Sequence, residues 1–359
     1  MDDMFNRNRV WGLLAKTIGN PIDFEKLKPE AIVLCKAENQ DVSPAIFINH
    51  HLSRITGAPK FVSLESELNL LHTPKVFHEP TVLYRLDNVR IYGGGLWTKS
   101  RNYWSRKIYK NKNLSPVELG AATLVDNDLT SIFFGHWLHD FVPASLIGTT
   151  SRPSLALNRP NYTHAKDYEC LFELDVIYAN SGVVRELYFL HDVAQNSYKL
   201  RRYSQLRNQL ADKLRPEDSK YTGVYIARGN SGLKRMLTNE QDLIDHLAKK
   251  GFDILYPEKM TPEMIVRRLW NASLVIAVEG SSIAHAIYTA AHCAGYLILM
   301  PPNRLSMIFK GILDALNNPF GLYICQPSQE SDSFYIDSMS DIDKLIDLLR
   351  EESARRMNF

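Results

Sequence analysis

Leu274 to Ala290 reads LVIAVEGSSIAHAIYTA: five apolar residues, a Glu-Gly-Ser-Ser turn, then a run with helical spacing. A strand apolar on both faces belongs in a buried parallel sheet. Working outward, the same alternation repeats. GVYIARG (Gly223–Gly229) reads as a strand. Thr238, with Gln241 three residues later, forms a capping box that predicts a helix through LIDHLAKK, stopped at Gly251. FDILYP is the next strand, after which Thr261 and Pro262 cap and open a helix over MIVRRLWNA. A further helix, SIAHAIYTAA, follows the central turn, and beyond it YLILMP and GLYICQ are strands separated by the helix LSMIFKGILDAL. This βαβ series predicts an α/β domain with a doubly wound parallel sheet.

Ligands of such sheets sit beyond the carboxyl ends of the strands, where helix starts present unpaired amides. Gly280, Ser281 and Ser282 fall at that edge. Small residues let backbone approach a phosphate, and two hydroxyls add donors. Glu279 could accept hydrogen bonds from ribose hydroxyls, or could pair with a nearby arginine at the strand end. Arg228, Lys234 and Arg235, in the loop ARGNSGLKR, offer the cations a diphosphate needs. The GxGxxG fingerprint of dinucleotide enzymes is absent. The expectation is therefore a nucleotide ligand whose diphosphate is held by scattered cations and amides.

The whole chain, 359 residues at 45% apolar and 23% charged content, has room for about two domains. Its net charge of +2 demands no nucleic acid partner. Four cysteines stand far apart without a CxxC pair, which gives no disulfide framework and fits a reducing compartment. The start, MDDMFNRNRVWGLL, lacks a signal-peptide core, and no stretch is long and apolar enough to cross a bilayer, so a cytoplasmic location is expected. In the first half AIVLCKA is strand-like, and TVLYRLDNVRIYGGG reads as a hairpin turning at Asp-Asn. FFGHWLHDFVP is more informative, because His136, His139 and Asp140 share one helix face among aromatics. A histidine with its orienting carboxylate could act as a base, or Asp140 itself could take a proton. Without a further ligand in recognisable spacing the HxxH pattern does not predict a metal.

Three blocks, GHWLHDFVP (Gly135–Pro143), VYIARGNSGLKRMLTNEQDLIDHLAKKGFDIL (Val224–Leu255) and LWNASLVIAVEGSSIAHAIY (Leu269–Tyr288), together resemble glycosyltransferase family 61. This group includes bacterial capsule and lipopolysaccharide transferases and eukaryotic O-mannose and O-GlcNAc transferases. The middle block matches the family's Arg-then-Arg-Asn-Glu pattern at Arg228, Arg235, Asn239 and Glu240. Many relatives carry His-Gly-Ala or His-Gly-Ser where this chain has Glu279, Gly280 and Ser281. The resemblance implies a GT-B-like α/β architecture of two Rossmann-like domains facing a cleft, and inverting transfer from a nucleotide-sugar, such as a UDP-sugar, to a saccharide or lipid-linked saccharide acceptor. It implies no cofactor and no obligatory metal, in surface polysaccharide or lipopolysaccharide synthesis. Asp140, His136 and His139 become the catalytic candidates; Arg228, Lys234, Arg235, Asn239, Glu279, Gly280, Ser281 and Ser282 become the donor-binding set.

The expected boundaries are an acceptor-side domain over 1–215, a nucleotide-sugar domain over 216–328 and a last helix over 329–359 that returns to the first domain. KLRRYSQLRNQLADKL (Lys199–Leu214) is the expected connector. Two rivals stand beside this reading. Asp126 and Asp128 in TLVDNDLT mimic the Asp-x-Asp metal site of GT-A transferases, although a turn explains them more simply. Trp97–Asn113 holds six basic residues, four aromatics and no acid, which suits a peripheral membrane contact or a non-catalytic glycan-binding module.

Overall fold

The computed structural model describes residues 29–358 apart from 93–94, 99–101, 106–113, 128, 230–234 and 331, with Asn20–Pro21 and Asn102–Ser105 described as backbone. Contacts divide the chain into two compact units. A front unit takes the chain up to Glu38 and Glu79–Arg202; a rear unit takes Asn39–His78 and Tyr203–Phe359.

The front unit is built on a nine-stranded sheet. Its strands are β1 (Asn20–Pro21), β2 (Ala31–Cys35), β6 (Thr81–Tyr92), β7 (Gly95–Trp97), β8 (Asn102–Ser105), β9 (Val117–Leu124), β10 (Ser154–Ala156), β11 (Val176–Tyr178) and β12 (Ser181–His191). They run in the order β1-β8-β7-β6-β12-β9-β10-β11, with β2 also on β6. From β12 to β11 all neighbours are parallel, whereas β6 is antiparallel to β12, β7 and β2. The sheet is thus mixed, where two Rossmann-like domains had implied a second parallel one. Leu86, Val89, Leu96, Leu124, Leu155 and Leu187 are among its core residues. The hairpin expected at Asp-Asn is instead one twelve-residue strand. Asn88 takes a left-handed φ of 53°, which asparagine tolerates, and β12 pairs on both sides of it. The reversal comes later, with Tyr92 opposite Gly95.

The rear unit carries a six-stranded sheet of β4 (Ile46–Phe47), β13 (Val224–Ile226), β15 (Asp253–Leu255), β16 (Leu274–Val278), β17 (Gly295–Met300) and β18 (Phe320–Ile324). The order is β15-β13-β16-β17-β18-β4, and every pairing is parallel. All residues of β16 and β17 are buried, as strands covered on both faces must be. Small sheets of β3 (Glu38–Asp41) with β5 (Lys75–His78), and of β14 (Met236–Leu237), β19 (Gln326–Pro327) and β20 (Ser333–Tyr335), complete the strands. The helix α1 (Leu64–His72) contributes Glu67, whose carboxylate accepts the Met307 amide just ahead of the helix Ile308–Ala315.

Helix ends follow local chemistry, with one exception. Thr261 accepts the Met264 amide and caps α6 (Pro262–Leu269) as expected. Gly251, at φ 80°, follows α5 (Glu240–Lys249) and supplies the left-handed stop. The capping box at Thr238 does not form, because the Thr238 hydroxyl donates to the Phe334 carbonyl and Asn239 becomes the cap position. After β16 the helix expected from SIAHAIYTAA is a six-residue 3-10 helix, Ser281–Ala286.

The last helix, α8 (Met339–Met357), expected to return to the first domain, packs on β16, β17, β18 and β4 and belongs to the rear unit. Its apolar face, Ile342, Leu345, Ile346 and Leu349, joins the same core as β16 and β17. Likewise Asn39–His78, assigned by sequence to the first domain, belongs to the rear unit, since β4 pairs with β18. The connector is the helix α4 (Ser197–Leu214), along which the chain passes from one unit to the other.

Candidate functional site

Strand order places the rear site. The chain runs β13, then β15 on one side, then β16 on the other, so the topology switches between β13 and β16. Open α/β sheets bind ligands at such a point, beyond the carboxyl ends of the two strands. Arg228 lies two residues past β13, and Glu279-Gly280 directly follows β16.

Glu279 is buried, and its Oε2 faces two guanidinium groups: Arg235 Nη1 at 2.8 Å and Arg304 Nε at 3.1 Å. Arg235 also donates to the Glu279 carbonyl at 2.6 Å. The carboxylate thus takes the arginine pairing that the sequence offered beside ribose recognition. Burial pulls the Arg235 guanidinium down to about 10 against the Glu279 charge, which leaves it protonated at neutral pH. Burial lowers Arg228 too, although Glu279, Glu258 and Glu240 pull the other way and Arg304 adds to the lowering. Glu240, at the start of α5, accepts the Tyr225 hydroxyl at 2.6 Å and the Arg228 amide at 2.9 Å, which fixes the backbone leaving β13. Gly280 has φ 150°, a conformation other residues rarely adopt, and a Cβ there would stand 2.7 Å from Arg235 Nη1 and displace that guanidinium. Among the described residues, Ser282 Oγ and Arg235 Nε are buried without a hydrogen-bond partner.

Arg228, Arg235, Glu279, Gly280, Ser281 and Ser282 therefore gather at one sheet edge. Asn239 instead pins the start of α5, because its side-chain amide donates to the Ile336 carbonyl at 2.8 Å and accepts the Ile336 amide at 3.0 Å. Lys234 lies outside the described residues. Arg304, in the turn after β17, escaped the sequence reading. Its available signal was position, since PPNR follows an apolar strand just as ARG and EGSS do.

The second cluster lies in the front unit on α2, whose turns Phe134–His136, Trp137–Phe141 and Val142–Ser145 run on without a break. The middle turn is π-type, with the Val142 amide bonded to the Trp137 carbonyl, a feature that recurs at functional sites. Trp137, almost wholly buried, stacks on Phe134 and Phe141 and anchors the helix. Asp140 is the hub. Its Oδ2 lies 2.7 Å from His136 Nδ1, and its Oδ1 lies 3.2 Å from His139 Nδ1 and 2.9 Å from Lys199 Nζ. Burial works to raise the Asp140 carboxyl, but His139, Lys199 and the histidine hydrogen bonds outweigh it and hold it well below the ordinary carboxylate range. Burial lowers His139 despite Asp140, so its imidazole is neutral. Such an Asp140 is a fixed anion. His136 Nδ1 faces that anion at 2.7 Å, the arrangement of a histidine beside its orienting carboxylate. Lys199 also escaped the sequence reading, which took its helix for a connector; burial of one lysine at a helix start leaves no periodic trace.

Asp126, half of the Asp-x-Asp alternative, is buried and its Oδ2 accepts the Leu157 amide at 3.0 Å. Asn127 Oδ1 accepts the Leu129 and Thr130 amides, which makes this segment a turn. Asp128 lies outside the described residues, as do the side chains of Lys99–Asn113 in the basic aromatic stretch. Among the described residues no helix is long and apolar enough to cross a membrane.

No curated protein matches the chain. Residues 134–303 match the family described as Glycosyltransferase 61, a segment that takes in α2, Lys199 and the edge residues after β13 and β16 and stops one position short of Arg304. Over residues 134–303 the chain is thus similar to glycosyltransferase family 61, a match that supports a glycosyltransferase domain there.

Proposed function

We propose that this protein is an inverting, metal-independent glycosyltransferase that moves a sugar from a nucleotide-sugar, a UDP-sugar in the first instance, to a saccharide acceptor. The observation that carries the reading is the convergence of Arg228, Arg235 and Arg304 about one buried carboxylate at the strand switch point. Arg235 and Arg304 share the single Glu279 carboxylate, and Arg228, which also faces Glu258 and Glu240, joins them, so guanidinium groups of the kind a diphosphate requires meet at this edge. Glu279 then serves to aim the arginines, and Ser282 Oγ and Arg235 Nε offer further donors to the ligand.

In the reaction, the acceptor hydroxyl oxygen forms a bond to the anomeric carbon while the bond from that carbon to the diphosphate oxygen breaks. The electron pair leaves with the diphosphate and configuration inverts. The hydroxyl proton passes to His136 Nε2, with Asp140 accepting the Nδ1 hydrogen and stabilising the imidazolium. Arginine groups take up the charge growing on the leaving diphosphate, a role of preorganised donors that accounts for about 10²-fold or more in rate for each well-placed group. The GT-B arrangement, a lipid-linked acceptor, surface polysaccharide synthesis and a cytoplasmic site belong to this proposal. The GT-A alternative loses support from the structural use of Asp126.

A thermal-shift panel of nucleoside diphosphates in EDTA tests the reading without an acceptor. Selective stabilisation by one diphosphate is expected; a response to none, or only after manganese is added, would refute it.

A further inference from the structure

We propose that Lys199 is a positioning residue whose ammonium is the resident cation of the His136–His139–Asp140 cluster, holding Asp140 as the anion that orients His136 and keeping a divalent ion out. The inference deepens the reading of His136 as base and rests on it for its catalytic half.

Two histidines and a carboxylate whose ligand atoms all lie within 4.8 Å of one another have the spacing of a metal centre. A buried carboxylate also needs a counter-charge. Here Lys199 supplies it. Its side chain is fully buried, and Nζ stands 2.9 Å from Asp140 Oδ1. The titratable groups facing Asp140 are His136 and His139 from its own helix and Lys199 from α4. An ammonium on Oδ1 sets a positive charge where a divalent ion would have to bind, while Oδ2 remains engaged with His136 at 2.7 Å.

The chain fixes Lys199 through its helix start. Asn196 Oδ1 accepts the Lys199 amide at 3.2 Å as a cap, and the Asn196 amide group is itself held by the Glu79 carbonyl at 3.2 Å and Thr81 Oγ1 at 2.9 Å. One turn further, Arg202 donates to the Pro143 carbonyl of α2 and forms a two-point pair with Asp192. The two helices are thereby tied at both Asp140 and Pro143, so the ammonium arrives at a fixed place.

The test substitutes Lys199→Met, which keeps the chain length and removes the charge, and measures Zn²⁺ binding by equilibrium dialysis on the full chain. The variant is expected to take up an additional equivalent of Zn²⁺ relative to the native protein, and to lose it again when His136→Asn is added. Its kcat for transfer should fall about 10²-fold with the donor KM unchanged. No gain of Zn²⁺, or native turnover in the variant, overturns the inference. Should Lys199→Met not fold, the native protein still decides: the ring ¹⁵N signals of His136 and His139 are expected to stay in place on adding Zn²⁺, and their movement overturns it. The Zn²⁺ readouts use no sugar nucleotide, so a failed transferase reading would be seen separately.

Discussion

One oxygen of Glu279 faces two guanidinium groups, and this single contact organises the rear site. Glu279→Gln would leave Arg235 and Arg304 close together without their counter-charge. Breaking a buried pair by removing one partner typically costs about 3 kcal/mol, so a clear drop in the denaturant midpoint is expected. An unchanged midpoint would mean that the carboxylate is dispensable. His139 makes the front unit pH-sensitive. Its folded pKa lies below the ordinary 6.5 because burial disfavours the imidazolium, so the unfolded chain takes up the proton first. The stabilisation is complete above 6.5 and is lost as pH falls through the lowered folded value. Between about pH 7 and pH 5 the native thermal midpoint should therefore fall more steeply than that of His139→Gln. His51, also lowered by burial, is common to both proteins and cancels in the comparison. At this scale the sequence revealed Arg228, Arg235 and Glu279 because they sit beside strands whose ends are readable. It hid Arg304 and Lys199, whose importance lies in residues far away along the chain.

At the scale of elements, the rear sheet was legible because each strand is an apolar run and each helix carries its own punctuation. Thr261 is the sharpest case. Its hydroxyl accepts the Met264 amide, and Thr261→Ala should cost about 1 kcal/mol in unfolding free energy, with Thr261→Ser nearly neutral. Three elements departed from expectation for identifiable reasons. Thr238 lost its capping role to a tertiary bond with Phe334, and the run after Gly280 closed as a 3-10 helix while keeping its apolar residues buried. Asn88 absorbed a left-handed φ inside β6 because β12 pairs on both sides of it. The π-type turn of α2 has no signature in residue spacing, since a single added residue in one turn leaves the apolar pattern intact.

On the scale of the molecule, the front half of the sequence contributes to both units. Residues 39–78 supply β4 to the edge of β18, and supply Glu67 to the Met307 amide ahead of α7 (Ile308–Ala315). A fragment of residues 203–359 would lack both and expose the β18 edge. It is expected to lose near-ultraviolet circular dichroism and bind a hydrophobic dye, whereas restoring residues 39–78 in trans should reverse this. Composition pointed to two domains but could not place this exchange, because β4 has only two residues and no periodicity. The net charge of +2 likewise conceals a local concentration of arginine that only the topology of the sheet assembles. Isothermal titration of UDP in EDTA measures that concentration directly, comparing the native chain with Arg304→Ala and His136→Asn. Binding is expected for the native chain and for His136→Asn, with affinity at least about tenfold weaker in Arg304→Ala. Equal affinity in Arg304→Ala, or binding that appears only with a divalent cation, would contradict this expectation.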